Sequence, residues 1–208
     1  MSYHHGDLCD AILDAAETLV RERGADGWSL REVSARIGVS PSAAYHHFRS
    51  RDDLVSTLSH RVLASLGQRL RHAVQHVRGD DPLQRLIALG RGYVHWVLDD
   101  PAVAALAFRA RHTQPATPIF PHPQDVLDEE LDRLGLPEAA RDGADFLFWA
   151  AIHGEAMLLA EGLVKLDSNR AVDRHTERLV RALLTGIAQE PASVDRPKAR
   201  SAYTERRG

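Results

Sequence analysis

Apolar residues recur three and four positions apart along most of this chain, and nowhere do they alternate with polar ones over the length of a strand. That spacing dictates an all-α fold. A first helix is expected from about Asp7 to Arg23, with Asp7 as cap, a stripe of Leu8, Ile12, Ala15, Ala16, Leu19 and Val20, and Gly24 as the stop. Ser29-Leu30-Arg31-Glu32 is a capping box, so a short second helix should run from there through Val33 and Ile37 to Gly38. A brief third follows, capped by Ser40, with Pro41 in its first turn and an end near Phe48. The fourth starts around Arg51 and carries Leu54, Leu58, Val62, Leu66, Leu70 and Val74 before Gly79. Five more are expected at about 80–98, 101–112, 125–134, 137–164 and 170–189, which makes about nine in all. Pro115, Pro118, Pro121 and Pro123 bar a long helix from 113–123, and the polar tail 191–208 is expected to be disordered.

Several function classes fall away on bulk properties. No stretch approaches the run of about eighteen apolar residues that a membrane span needs. The opening Met1-Ser2-Tyr3-His4-His5-Gly6-Asp7 lacks the basic-then-apolar order of a signal peptide. Cys9 is the single cysteine and can form no internal disulfide, which fits a reducing cytoplasm. Its neighbours Leu8, Ile12 and Leu13 point to a packed helix position more than to a redox sensor. A net charge of −3 argues against a protein that coats nucleic acid, yet leaves room for a local basic face. Such a face is suggested between Arg49 and Arg78, where six arginines meet only Asp52 and Asp53.

Two short helices separated by Gly38-Val39-Ser40 have the geometry of a helix-turn-helix, or of an ordinary corner in a bundle. Gly38 permits the tight turn, Val39 plugs the corner, and Ala35 is small where the helices should approach. The wording around the turn is more specific. Ser29 to Phe48, read as SLREVSARIGVSPSAAYHHF and followed by Arg51-Asp52-Asp53-Leu54, resembles the DNA-binding domain of TetR-family regulators. The resemblance runs from about Tyr3 to Leu66, with Arg51 where the family more often has lysine. It implies that Arg31, Ser42, Ala43 and His46 contact base edges, and that Tyr45, His47 and Arg51 contact phosphates. Phe48, Leu54, Ile37 and Val33 read as the core of this small domain. The implied organisation is a helix-turn-helix domain over 1–50, a linking fourth helix over 51–78, and a C-terminal helical bundle over 79–190 for dimerisation and ligand binding.

The C-terminal part carries its own resemblance. Trp149, His153 and Gly154 resemble the Trp-His-Gly signature of one TetR-type C-terminal domain. Residues 146–160 are apolar nearly all round, and the last helix has a wide stripe that includes Leu179, Leu183 and Ile187. Two such helices from each of two chains would make a four-helix seam, with Trp149, Ala150, His153, Gly154 and Met157 on it. Tyr93, His95, Trp96, Val97, Phe108, His112 and Phe120 form an aromatic and polar set that reads either as plain core or as an effector pocket between helices. His72 and His76, four apart, have zinc spacing but no third ligand near them, so no metal and no cofactor are expected. No nucleophile elbow or phosphate loop occurs, which argues against an enzyme.

The reading that results is a cytoplasmic, homodimeric, sequence-specific regulator of transcription. By resemblance it is a repressor released from a palindromic operator in double-stranded DNA by a small, largely apolar molecule. The competing readings are a helical enzyme or metal binder using the histidines, and an architectural dimer with no preferred DNA site.

Overall fold

The structure, a computed structural model, describes residues 5–108 and 119–189. Among these there are ten helices and no strand, as the apolar spacing requires. They are α1 (His5–Arg23), α2 (Leu30–Arg36), α3 (Pro41–His47), α4 (Arg51–Gln75), α5 (Pro82–Asp99), α6 (Pro101–Ala107), α7 (Pro123–Asp132), α8 (Glu138–Arg141), α9 (Ala144–Ala160) and α10 (Asn169–Gln189). None is long and apolar enough to cross a membrane. The tail 191–208, His112 and most of the proline-rich stretch lie outside the described residues.

Local chemistry sets the boundaries. Ser29 and Glu32 satisfy each other's orphan amides at the start of α2, at 3.3 Å and 2.8 Å. Ser40 accepts from the Ala43 amide ahead of Pro41, and Asp100 from the Val103 amide ahead of Pro101. The last proline of the rich stretch opens a helix of its own. Pro123 occupies the first turn of α7 behind a capping His122, two residues earlier than expected. One helix had been expected over 137–164, and it is two. Gly143 takes φ +75°, which an L side chain rarely adopts, and breaks the run before the apolar segment of α9. At the other end, α1 begins two residues before Asp7, so Asp7 sits inside its first turn.

The chain divides into two compact units, residues 1–65 with 100–119 and residues 66–99 with 120–208. This differs from the expected order of domains, because α6 belongs with the N-terminal helices. In the first unit Ile12, Ala16, Leu19 and Val20 of α1 share a core with Leu30, Val33, Ala44, Phe48, Leu54 and Leu58. Ser59, fully buried, donates to the Leu106 carbonyl at 2.8 Å and fastens α6 to α4. Arg61 bonds Asp14 and Glu17 of α1 at 2.7 and 2.8 Å.

In the second unit Leu86, Ile87, Leu89 and Val94 of α5 are buried together with Val126 and Leu127 of α7, Phe148 and Ile152 of α9, and Val180 of α10. Gly67 is required here. A Cβ at that position would stand 1.8 Å from the Pro121 carbonyl oxygen. Glu130 is almost fully buried, and its carboxylate is gripped by the Arg85 guanidinium, with Nη2 2.7 Å from Oε1.

Candidate nucleic-acid interface

The helix-turn-helix lies wholly in the first unit. α2 buries Leu30, Val33 and Ser34, and the Ser34 hydroxyl is satisfied by the Leu30 carbonyl at 2.8 Å. Gly38 then adopts φ +70°, and the Val39 amide donates back to Ser34 at 3.0 Å, closing the turn. Ala35 had been expected between the helices but is exposed. The small buried residue is Ser34, one position earlier, because the Leu30–Val33–Ser34 edge of the helix faces the core. Ile37 is only half-buried, whereas Val33, Phe48 and Leu54 are core residues as expected.

α3 is anchored through one fully buried side chain, Ala44. Ser42, Tyr45 and His46 are exposed, Tyr45 at 47 %, and Ala43 and His47 are half-exposed. The two histidine rings meet edge to face with centroids 5.9 Å apart. Arg31 projects into solvent from the first turn of α2 and has no ion-pair partner among the described residues. Its neighbours are engaged. Arg23 bonds Glu32 and Arg36 bonds Glu22, each at 2.7 Å. The Ser29 hydroxyl, and after it Arg23, hold the Glu32 carboxyl below the usual range.

The remaining arginines of the basic stretch divide sharply. Arg61, Arg69 and Arg71 are spent on Asp14 and Glu17, on Asp99, and on Glu129. Arg51 folds back: its guanidinium bonds the Trp28 and Ala25 carbonyls and lies 4.6 Å from the Trp28 ring centre. Arg49, not among the site residues expected from sequence, is exposed and has no ion-pair partner among the described residues. Its signals in the sequence are its place at the head of the basic stretch and directly after Phe48, the buried residue that caps α3.

The aromatic set expected for an effector pocket is only partly assembled. Tyr93, Trp96 and Val97 are buried in the second unit, where the Tyr93 ring packs against Trp149 (5.3 Å) and Trp96 (5.9 Å). Phe108 belongs to the first unit and is 53 % exposed, one residue past the last buried turn of α6. Phe120 is 81 % exposed, because its neighbour Pro121 takes the buried place against Gly67. His95 holds Asp173 of α10 at 2.8 Å.

Two residues expected on the dimer seam are engaged within their own unit. His153 Nδ1 lies 2.7 Å from the Tyr93 hydroxyl, and Trp149 Nε1 donates to Gln124 at 2.7 Å. Gln124 in turn donates to Asp145 at 2.9 Å. Burial pushes the Tyr93 hydroxyl up and the His153 imidazole down, so an un-ionised hydroxyl meets a neutral ring. Ile187 is core, 3 % exposed, because it falls on the inner face of α10 with Val180 and Leu184. Met157, Leu179 and Leu183 are half-buried. The outer face of α9 is instead a four-residue-spaced row of Phe146, Ala150, Gly154 and Leu158, with open space at Gly154.

His72 and His76 stack at 3.8 Å, and among the described residues no three His, Cys, Asp or Glu side chains converge to hold a metal. Burial, and then Asp10, push the Cys9 thiol up, away from the reactive thiolate form.

Comparison with known proteins bears on both units. Residues 12–58 match the family model for bacterial regulatory proteins of the tetR family, and residues 86–185 match that for the tetracyclin repressor-like C-terminal domain. An HTH-type transcriptional repressor of Mycobacterium tuberculosis is 30 % identical over 136 residues, 65 % of each chain. An uncharacterized HTH-type transcriptional regulator of the same organism is 32 % identical over 96 residues, 46 % of each chain. The chain thus spans about half to two thirds of the length of these curated relatives. A solved protein of unknown function from Rhodococcus sp. RHA1 is 25 % identical with a TM-score of 0.76, covering 91 % of this chain and all of that one. A TetR variant from Acinetobacter baumannii AYE in complex with minocycline shares the fold at 19 % identity and a TM-score of 0.61, covering 89 % and 96 %.

Proposed function

Since the chain belongs to the TetR family of bacterial regulatory proteins, we propose that it is a homodimeric transcriptional regulator that reads double-stranded DNA with α3. The observation that carries this reading is the division of α3 itself. One small residue, Ala44, is buried, while Ser42, Tyr45 and His46 are exposed, as is Arg31 in the first turn of α2. A helix built this way has a stiff base and an outer face of hydrogen-bonding groups sized for a major groove. Arg31 is assigned to a guanine edge, Ser42, Ala43 and His46 to neighbouring base edges, and Tyr45 and His47 to phosphates.

The dimer is proposed to form along the Phe146–Ala150–Gly154–Leu158 row of α9 with Leu179 and Leu183 of α10. Small residues there allow close approach, and exposed apolar ones gain from being covered. Two symmetric heads call for a roughly palindromic site whose half-sites are about 34–36 Å apart or a multiple of that. The sense of regulation is repression, which the name of the Mycobacterium tuberculosis repressor supports. Release is assigned to a small, largely apolar molecule held in the second unit beside Tyr93 and Trp96. A coupling of about 1–3 kcal/mol suffices for such a switch. The Trp149, His153 and Gly154 positions support a C-terminal domain of the Trp-His-Gly type. As a DNA reader the protein acts in the cytoplasm.

The test is selection of binding sites from random duplexes by the full chain, together with sedimentation. The expected result is a two-fold symmetric consensus bound by a dimer. A monomer with no preferred duplex would overturn the reading.

A further inference from the structure

Resting on the reading of α2 and α3 as a DNA-reading head, we infer that the arginine directed at the phosphate backbone beside α3 is Arg49, and that Arg51 is a positioning residue that clamps the connection between α1 and α2. The two differ by two positions in sequence but not in formal charge, so only their partners separate them.

Arg51 is engaged on every side of its guanidinium. Nε donates to the Trp28 carbonyl at 3.1 Å, Nη2 donates to the Ala25 carbonyl, and the plane lies 4.6 Å from the Trp28 ring centre. Asp26 stands 3.6 Å away and Asp52 3.9 Å. Trp28 is buried, yet its indole N–H has no acceptor among the described residues, so ring packing and Arg51 hold it. The residue after Trp28 is the cap of α2, and Arg31 follows in the first turn of that helix. A grip on residues 25–28 therefore sets where Arg31 points. A lysine here would keep the charge but could not bridge two carbonyls with a planar fork while stacking on an indole.

Arg49 has the opposite arrangement. Its backbone is fixed: the amide donates to Asp53 Oδ2 at 2.9 Å, and Ser50 Oγ accepts from the Asp53 amide at 3.1 Å. Its side chain is exposed and without an ion-pair partner among the described residues. It stands two residues after His47, the last residue of α3, on the route from the reading helix into α4. A cation with a rigid root and a free head, beside the reading helix, is what phosphate neutralisation requires.

The experiment uses the full chain carrying Arg49→Gln, Arg51→Gln or Arg51→Lys. Affinity is measured against salt on a site selected by the wild type and on a random duplex, and amide hydrogen exchange is followed over residues 25–31. Arg49→Gln is expected to lower the slope of log affinity against log salt by about 1.8 on both duplexes, about 0.9 for each subunit of the dimer, and to leave exchange unchanged. Between 50 and 200 mM salt that is about a twelvefold change in salt sensitivity. Arg51→Gln and Arg51→Lys are both expected to keep the wild-type slope, to speed exchange over 25–31, and to weaken the selected site more than the random one. A slope lowered by Arg51→Gln and restored by Arg51→Lys, with exchange unchanged, would overturn the assignment. If the wild type binds no duplex, the regulator reading and the Arg49 half fall together. The clamp is then decided by hydrogen exchange alone, where slow exchange in both Arg51 variants refutes it.

Discussion

The reading head and the interior of the second unit handle polar side chains in opposite ways. Around α3 the core is closed by apolar residues and the polar groups are left pointing outward, Arg31, Ser42, Tyr45 and Arg49 among them. In the second unit Tyr93, His153, Trp149, Gln124 and Asp145 turn toward one another and consume their hydrogen bonds internally. The lesson concerns cost. An outward polar group can be exchanged with little effect on folding, and its energy remains available to a partner. An inward one is committed to the fold, and removing half of a pair strands the other half.

Glu130 offers the largest test of that contrast. Arg85→Ala would leave a carboxylate buried in the second unit, with only Arg133 at 3.7 Å as partial replacement. A loss of about 3 kcal/mol is expected in chemical denaturation. The double change Arg85→Met with Glu130→Leu should recover most of it, because both charges then leave the interior. A double variant as unstable as the single one would show that the pair is not what the second unit depends on.

A smaller effect is expected within the polar cluster. Tyr93→Phe keeps the ring but removes the hydroxyl hydrogen-bonded to His153, which should cost about 1 kcal/mol. Equal stability of this variant and the wild type would mean that the cluster is already open to water.

The smallest effect is a dependence on pH. Burial lowers the His153 pKa, so the folded protein resists a proton that the unfolded chain accepts at about 6.5. The stabilisation is complete above that value, is lost as pH falls from there toward the folded pKa, and changes no further below it. His153→Gln, which can accept from Tyr93 without titrating, should flatten this part of the stability curve. A wild-type curve that matches the variant's between pH 7 and 5 would remove the imidazole from the account.

What could be read in the sequence follows the distance over which each interaction acts. The capping box of Ser29 and Glu32, the turn at Gly38 and the proline starts of α3 and α6 are local, and they sit where the residue spacing puts them. The outward face of α3 was legible for the same reason. The grip of Arg51 on Ala25 and the bond from Tyr93 to His153 join residues 26 and 60 positions apart, which no periodicity marks. The same is true of Gly67 against Pro121. The break at Gly143 had a local signal in Asp142-Gly143, but the apolar run after it favoured one long helix. That run also concealed which side of α9 is outward, since a helix apolar all round gives no face by pattern. Trp149 and His153 are expected on the seam, and their hydrogen bonds to Gln124 and Tyr93 lie within the second unit.

We expect the outward face of the head to read bases and to add little to the stability of the fold. Base preference profiled for the wild type and Arg31→Ala, with thermal unfolding measured on both, tests it most directly. Arg31 is exposed and unpaired among the described residues, so the variant should match the wild type in stability within about 0.5 kcal/mol. On the preferred duplex it should lose about 1–3 kcal/mol of binding per half-site and become indifferent at one base position in each. Unchanged base preference in a variant that folds normally would contradict the account.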